Sequence, residues 1–331
     1  MTRINLFYLS PNPYGGWVTY TRHLAYALEA QGLKVQLFKV GNNTERKLRP
    51  FGYGLTYRNL CLSDALQAAR TAPSIITAAA KKFKTEADGL FHEGGAHMVV
   101  HDPTEMKNMP DLSSHWERVV TIRRTGKAML PDSVCILHPY KRFAAAGDPV
   151  AKPHRAISTS RIDFDKHTDM ILDANRMLRA EGSPSIEIRG FENRLYTKFK
   201  IMPSYPEWEQ SKAAYPRGEP DAAFHLMRSY ELNVDMSVIK GDGGGTQYTT
   251  LEAWDAMCLP IVNRDWIIEH DELVPGDNCM AAGTPDELAE LVRDLGTVDI
   301  QKMVLNGQQC LRQYHSPEVI GSQWAVQLGG C

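Results

Sequence analysis

Apolar positions fall into short runs, and most runs are followed by a segment of helical period. Ile4 to Leu9 is mostly apolar and closes at Ser10-Pro11-Asn12-Pro13, which predicts a buried strand ended by a turn. Gly15-Gly16 follows, then Val18 to Gln31 with Leu24, Ala27 and Leu28 at helical spacing. Gly32 suits a helix C-cap, and Leu33 to Phe38 reads as the next strand. Strand, glycine loop, helix and strand make a βαβ unit that opens a parallel sheet. Ser63 to Arg70 predicts a helix, and Ser74 to Ala80, His97 to Val100, Arg118 to Ile122 and Val134 to Leu137 predict strands.

Pro139 to Pro153 is rich in Pro and Gly, lacks periodicity, and reads as a linker. A second alternating series follows. Strands are expected at Ala156 to Thr159, Ser185 to Ile188, Met236 to Ile239 and Leu259 to Asn263. Helices are expected at Thr168 to Glu181, Thr249 to Met257, Asp286 to Leu295, Asp299 to Gln313 and Ser316 to Leu328. The expectation is two α/β Rossmann-like domains facing a cleft, 1–150 and 151–315, with helix 316–331 packing back on the first.

Composition narrows the field. The chain has 331 residues, 43% hydrophobic and 23% charged, so it is an ordinary globular chain long enough for two domains. A net charge of −2 argues against an all-round basic nucleic-acid binder but leaves room for a local basic groove. Six cysteines without a CxxC pair argue against a zinc ribbon or disulfide scaffold, and a reducing cytoplasm is the expected context. The Ile4 to Leu9 run is too short for a leader, and no apolar run approaches the ~20 residues that span a membrane, so no membrane partner is expected.

Four segments are candidates for chemistry. Gly15 and Gly16 allow close backbone approach to a ligand ahead of a helix, or form only a tight turn; the pattern is not GxGxxG, so a nicotinamide enzyme is poorly supported. Gly243, Gly244 and Gly245, with Thr246, Gln247 and Tyr248, precede a helix whose N-terminus would favour a diphosphate; Glu252 inside it would accept ribose hydroxyls. Arg161 and Lys166 follow a strand and suit a pyrophosphate, Arg as a fork and Lys as a point charge; pairing of Arg161 with Asp163 or Asp165 is the alternative. Asp163-Phe164-Asp165 also has the DxD form of metal-dependent glycosyltransferases, which the neighbouring cations argue against. In the fourth segment, His97 and His101 have helical metal-pair spacing, but Val99-Val100 favour a strand, and no zinc ligand set is assembled. His101-Asp102 falls at the strand's end, where Asp102 would serve as a base or orient an acceptor, or simply cap a turn before Pro103. Basic clusters occur at Lys81-Lys82-Lys84 around Phe83, at Arg123, Arg124 and Lys127, at Lys141-Arg142, and at Arg194, Lys198 and Lys200. They read as solvated faces, or as phosphate contacts if they converge.

Gly15-Gly16, Arg161 and Lys166, and Leu251-Glu252-Ala253 ahead of Pro260-Ile261-Val262 together resemble the retaining GT-B glycosyltransferases. That family's motif has two glutamates separated by seven residues; Glu252 matches the second, but Gly244 stands at the first. Tyr248-Thr249-Thr250-Leu251-Glu252, Gly190-Phe191-Glu192 and His101-Asp102 look like motifs of T-even-type bacteriophage DNA glucosyltransferases of the α type. His101 to Glu105, Ile122-Arg123-Arg124 and His138-Pro139-Tyr140 look like phage enzymes, glucosyl- or arabinosyltransferases, that glycosylate 5-hydroxymethylcytosine. The resemblance implies a UDP-sugar donor, UDP-glucose or UDP-arabinose, with no required metal, and double-stranded DNA carrying hydroxymethylated bases as acceptor. It implies donor contacts at Gly190 and Glu192, with Glu192 on the sugar or steadying Arg161, and phosphate contacts at Lys81, Lys82, Lys84, Arg123, Arg124, Lys127, Lys141 and Arg142. Other acceptors (polysaccharide, lipid-linked sugar, protein) and a catalytically silent nucleotide-sugar binder stand as rival readings.

Overall fold

The computed structural model describes residues 2–11, 15–143, 152–213, 215–216, 221–239, 244–269, 271–296 and 298–329. Two compact units emerge: Met1–Lys141 with Gln313–Cys331, and Arg142–Arg312. Most of the sequence-predicted linker, 144–151, and Gly243 of the glycine-rich loop lie outside the described residues.

The first unit is built on β1 (Arg3–Leu9), β2 (Lys34–Val40), β3 (Arg49–Gly52), β4 (Leu55–Leu60), β5 (Ser74–Ala79), β6 (His97–Val100), β7 (Val119–Thr121) and β8 (Val134–Cys135). Their order is β3-β4-β2-β1-β5-β6-β7-β8, parallel throughout except for the β3–β4 hairpin. β1 and β5 are buried on both faces, which is why they read as near-continuous apolar runs. The Gly16–Ala30 helix covers the sheet with Val18, Tyr20, Leu24, Ala27 and Leu28. Against it lies the Pro317–Gln327 helix, and Gly321 makes that approach possible: a Cβ there would lie 2.3 Å from the Ala27 carbonyl oxygen. The chain leaves β1 in one direction to reach β2 and β4, then returns to the other side with β5. The carboxyl ends of β1 and β5 therefore form a switch-point crevice.

The second unit carries β9 (His154–Ser158), β10 (Glu187–Ile188), β11 (Tyr230–Asp235), β12 (Leu259–Asn263) and β13 (Met280–Ala282), all parallel, in the order β10-β9-β11-β12-β13. Ile171, Leu178, Leu232, Val234, Leu259, Ile261 and Leu288 form its core between sheet and helices. Its switch point lies between β9 and β11. Here one sequence expectation fails. The strand foreseen at Met236 to Ile239 is a loop, and the strand ends one residue earlier, at Asp235. Glu231, Asn233 and Asp235 interrupt the apolar run of the true strand, although β11 is buried along almost its whole length. The Asp299 to Gln313 helix also stops early, at Cys310, and a wider turn covers Leu311–His315.

Candidate functional site

In the second unit the switch point brings the loop after β9 against the loop after β11. Lys166 is 7% exposed and donates to Ser237 Oγ (2.7 Å) and Gln247 Oε1 (3.0 Å). Ser237 Oγ in turn donates to Asp235, which also accepts from the Ser237 amide (3.1 Å) and Thr249 Oγ1 (2.5 Å). Burial by itself would raise the Asp235 carboxyl, but the Lys166 ammonium and the hydroxyls of Ser237, Thr249 and Ser160 outweigh it and hold it below its ordinary value. Asp235 and Ser237 were missed from the sequence because the strand boundary was misplaced.

Arg161 is exposed, and its guanidinium fork takes Asp163 and Asp165, each at 3.1 Å. Both carboxylates of the DxD triplet are thus turned toward protein cation. The loop after β10 is knitted to this one: the Ile162 amide donates to Phe191 O, the Asn193 amide to Ile162 O (both 2.9 Å), and Asn193 Nδ2 to Asp163 Oδ1 (2.8 Å). Gly190 is obligatory there, since a Cβ would lie 2.0 Å from the Ser160 carbonyl oxygen. Glu192 pairs with Lys212 at 2.9 Å, not with Arg161.

The Tyr248–Asp255 helix begins at the same crevice. Its N-cap, Gln247, makes no side-chain capping bond, because Lys166 holds its amide oxygen. No acidic residue occupies the first turn, so the positive end of the helix dipole is left for an anion. Thr246 Oγ1 is tied to buried Glu272 at 2.6 Å. Glu252 is 8% exposed, and its carboxyl is pushed up to about 8 by burial and then by Asp221 and Asp255. At neutral pH it is largely protonated and can donate as well as accept.

Gly244 adopts φ +107, and a Cβ would lie 2.4 Å from the Trp266 carbonyl oxygen. Trp266 Nε1 donates to Gly245 O at 2.6 Å. The departure from the two-glutamate motif is therefore built into the backbone, and no side chain fits at 244 as the loop stands.

In the first unit, Gly15 (φ +98) opens the Gly16–Ala30 helix at the carboxyl end of β1. Trp17 Nε1 donates to Glu105 Oε1 (3.0 Å), and the His101 ring meets Tyr20 edge-on at 4.9 Å, so the glycine loop and the His101-Asp102 turn adjoin. His101 Nε2 bonds the Thr77 carbonyl at 2.7 Å, which requires Nε2 to carry the hydrogen. Burial pushes His101 down to about 4, so it is a neutral imidazole at physiological pH. Asp102 is half-buried beside it.

The eight foreseen phosphate contacts are unequal. Lys81, Lys82 and Lys84 follow β5 at the first unit's switch point and are exposed, as is Arg124, whose guanidinium lies 5.7 Å from the Tyr314 ring centre. Arg123 is half-buried close enough to act electrostatically on His101 and His138. Lys127 spends its ammonium on the carbonyls of Pro131 and Ser133. Lys141 lies 4.5 Å from the Tyr26 ring centre. Arg142, in the second unit, pairs with fully buried Asp255 at 3.0 Å. No group of three or more His, Cys, Asp or Glu suited to a metal occurs among the described residues.

No protein-family model and no curated protein matches the sequence. Solved structures do match. HepE of Anabaena, in complex with UDP and glucose, is 14% identical over 100% of both chains, with a TM-score of 0.69. TarM of S. aureus, in complex with Fondaparinux, alpha-GlcNAc-glycerol and UDP, is 9% identical over 99% of this chain and 100% of that one, with a TM-score of 0.70. An alpha-glucosyltransferase in complex with UDP and a 13-mer DNA is 12% identical over 99% and 100%, also with a TM-score of 0.70. The chain thus has the GT-B fold, an α/β architecture with two mainly parallel sheets. Among the described residues no helix is long and apolar enough to cross a membrane.

Proposed function

We propose that this GT-B chain is a glycosyltransferase that moves a sugar from a UDP-sugar to the hydroxymethyl group of a modified base in double-stranded DNA. The observation that carries the donor half is the crevice between β9 and β11, where Lys166, Arg161 and the N-terminal end of a helix with no acidic residue in its first turn lie together. Three glycosyltransferase-fold neighbours with UDP bound support the same reading.

In this scheme the bond from the sugar's anomeric carbon to the diphosphate breaks as its bond to the acceptor oxygen forms. The acceptor proton passes to the leaving phosphate and configuration is retained. Arg161 and Lys166 stabilise the charge that develops on the diphosphate, which is the dominant electrostatic contribution in such transfers. Gly244 and Gly245 with Thr246, Gln247 and Tyr248 line the phosphates, and Glu252 holds the ribose. Gly190 lets the Glu192 loop approach the donor sugar. Gly15 and Gly16 are further candidates for donor contact, through the close backbone approach that glycine allows. Asp102 orients the acceptor hydroxyl, and neutral His101 positions it. The scheme assigns the compensating charge to Arg161 and Lys166 and uses no metal.

For the acceptor, Lys81, Lys82 and Lys84 are the strongest phosphate contacts, since Lys127 and Arg142 are engaged within the fold. Duplex DNA has to extrude the target base, at a cost of about a few kcal/mol. A second reading, transfer to a polysaccharide or glycerol-type acceptor, is favoured by the equal likeness to TarM. Mass spectrometry of nucleosides from hydroxymethylcytosine DNA, after incubation with a panel of UDP-sugars, tests the proposal. A sugar-sized mass shift supports the DNA acceptor. UDP release without a shift moves the assignment to another acceptor, and no UDP release with any donor refutes the enzyme. An inverted anomer in the product would make Asp102 the general base.

A further inference from the structure

Directly after the Glu192 loop, residues 194–204 form one continuous helical run made of Arg194–Tyr196, a wide turn at Thr197–Ile201, and Met202–Ser204. Its inward side is satisfied. Tyr196, Ile201 and Tyr205 are buried in the core of the second unit, and Tyr196 Oη donates to Asp169 at 3.1 Å. Its outward side is also apolar: Leu195 is 64% exposed, Phe199 68% and Met202 50%. Their i, i+4, i+7 spacing is that of one helix face, which in an ordinary surface helix would be turned inward. Phe164, 58% exposed, lies with its ring centre 4.6 Å from that of Tyr196, the two rings tilted by 59°. A helix apolar on both sides has something to meet on its outer side.

The charge pattern says what. Arg194, Lys198 and Lys200 interleave with the apolar residues, and the run has no acidic residue. Lys198 lies 5.3 Å from the Phe199 ring centre. The acids of neighbouring elements are engaged by cations other than Arg194 and Lys198: Asp169 pairs with Lys200, Asp163 and Asp165 share Arg161, Glu192 and Glu209 share Lys212, and Asp173 and Glu207 meet Arg176. Arg194 and Lys198 make no ion pair among the described residues. Hydrocarbon and thioether side chains flanked by unneutralised cations are the composition of an interfacial helix on an anionic bilayer. A DNA backbone is met by hydrogen-bonding groups, which the tips of Leu195, Phe199 and Met202 lack. A second copy of the chain is a poor occupant, since a run about 16 Å long cannot supply the roughly 800 Å² per partner of a stable dimer, and like charges would face each other.

We propose that the 194–204 face docks the second unit on the surface of an anionic lipid bilayer, with Leu195, Phe199 and Met202 entering the headgroup boundary and Arg194 and Lys198 on the lipid phosphates. This goes beyond the glycosyl-transfer reading, and its test uses neither donor nor acceptor, so either can fail alone. The intact protein is sedimented with vesicles of phosphatidylcholine, alone or with 30 mol% phosphatidylglycerol, at low and at 0.5 M NaCl. Binding is expected to the anionic vesicles only and to weaken with salt. Leu195→Ser with Phe199→Ser, and separately Arg194→Glu with Lys198→Glu, should each lower the partition at least about tenfold. Phe199→Trp keeps the apolar bulk, and the emission it adds over wild type should shift to the blue on the anionic vesicles. No pelleting at low salt, unchanged partition of the serine pair, or an unmoved emission spectrum for Phe199→Trp overturns the proposal. DNA binding lost in the serine pair without vesicle binding would overturn it in favour of nucleic acid, and a dimer broken by that pair would do so in favour of self-association.

Discussion

Replacing Lys166 with methionine isolates the energetics of the candidate donor site. Lys166 is nine-tenths buried, and its ammonium reaches Asp235 through the Ser237 hydroxyl. Removing one partner of a buried pair costs about 3–5 kcal/mol, because the other charge is left uncompensated. A pair bridged by a hydroxyl belongs at the lower end, about 3 kcal/mol. At about 2–4 °C per kcal/mol for a unit of this size, the transition of the second unit should fall by about 6–12 °C. The pH dependence should change sign as well. In the wild type the folded Asp235 carboxyl lies below its unfolded value, so its stabilisation is present above the unfolded value and is lost as pH falls through the folded one. Without Lys166, burial, the largest influence on Asp235, would lift the folded value above the unfolded one. The variant should then be least stable at neutral pH and recover relative to wild type on acidification. Asp235→Asn added to Lys166→Met should restore part of the loss, since a neutral amide needs no cation. Calorimetry that resolves the two units, from pH 5 to pH 8, is the assay. A single variant that melts like wild type at pH 7.5, or a double variant no more stable than the single one, would refute this account of the crevice.

Three further outcomes follow from the same geometry. Gly190→Ala should cost about 3 kcal/mol and abolish UDP binding in calorimetric titration, because its Cβ would sit 2.0 Å from the Ser160 oxygen between two loops of the candidate donor site. Glu252, with a folded value of about 8, makes stability decline as pH rises from its unfolded value through 8; Glu252→Gln should flatten that decline and be the more stable protein at pH 8.5, as read by melts across pH. Gly244→Glu, which would restore the two-glutamate motif, should destabilise by about 2 kcal/mol or more and lower UDP-sugar turnover, because φ +107 and the Trp266 carbonyl leave no room; equal or higher turnover would contradict this.

The sequence made the architecture readable because parallel strands buried on both faces are apolar runs, and the helices between them carry a 3.6 period. β1, β6, β9 and β12 fall where those runs lie. The exceptions have physical causes. β11 carries Glu231, Asn233 and Asp235, and those polar residues hid it. The β3–β4 hairpin depends on positive φ at Gly52, Tyr53 and Gly54, a turn whose strands are half-exposed and weakly patterned. Glycine-rich loops were visible as composition. The reason Gly190 must be glycine, an approach to Ser160 from another strand's loop, exists only in three dimensions.

Charge was the least legible property, and for a general reason: a sequence lists cations without their partners. Lysine and arginine runs between residues 81 and 142 suggested one basic face on the first half of the chain. The fold divides them. Lys127 closes its own turn, Arg142 neutralises Asp255 in the other unit, and Lys141 lies against Tyr26. Lys81, Lys82 and Lys84 stay exposed after β5. If DNA is the acceptor, the electrostatic contribution should be concentrated there. Changing all three to glutamine should reduce the slope of log affinity against log salt by up to about 2.7, at about 0.9 per phosphate contact on duplex DNA. Filter binding to a duplex between about 50 and 200 mM salt measures that slope. A slope unchanged in the triple variant, or reduced equally by Lys127→Gln alone, would show that the switch-point lysines do not meet the phosphates.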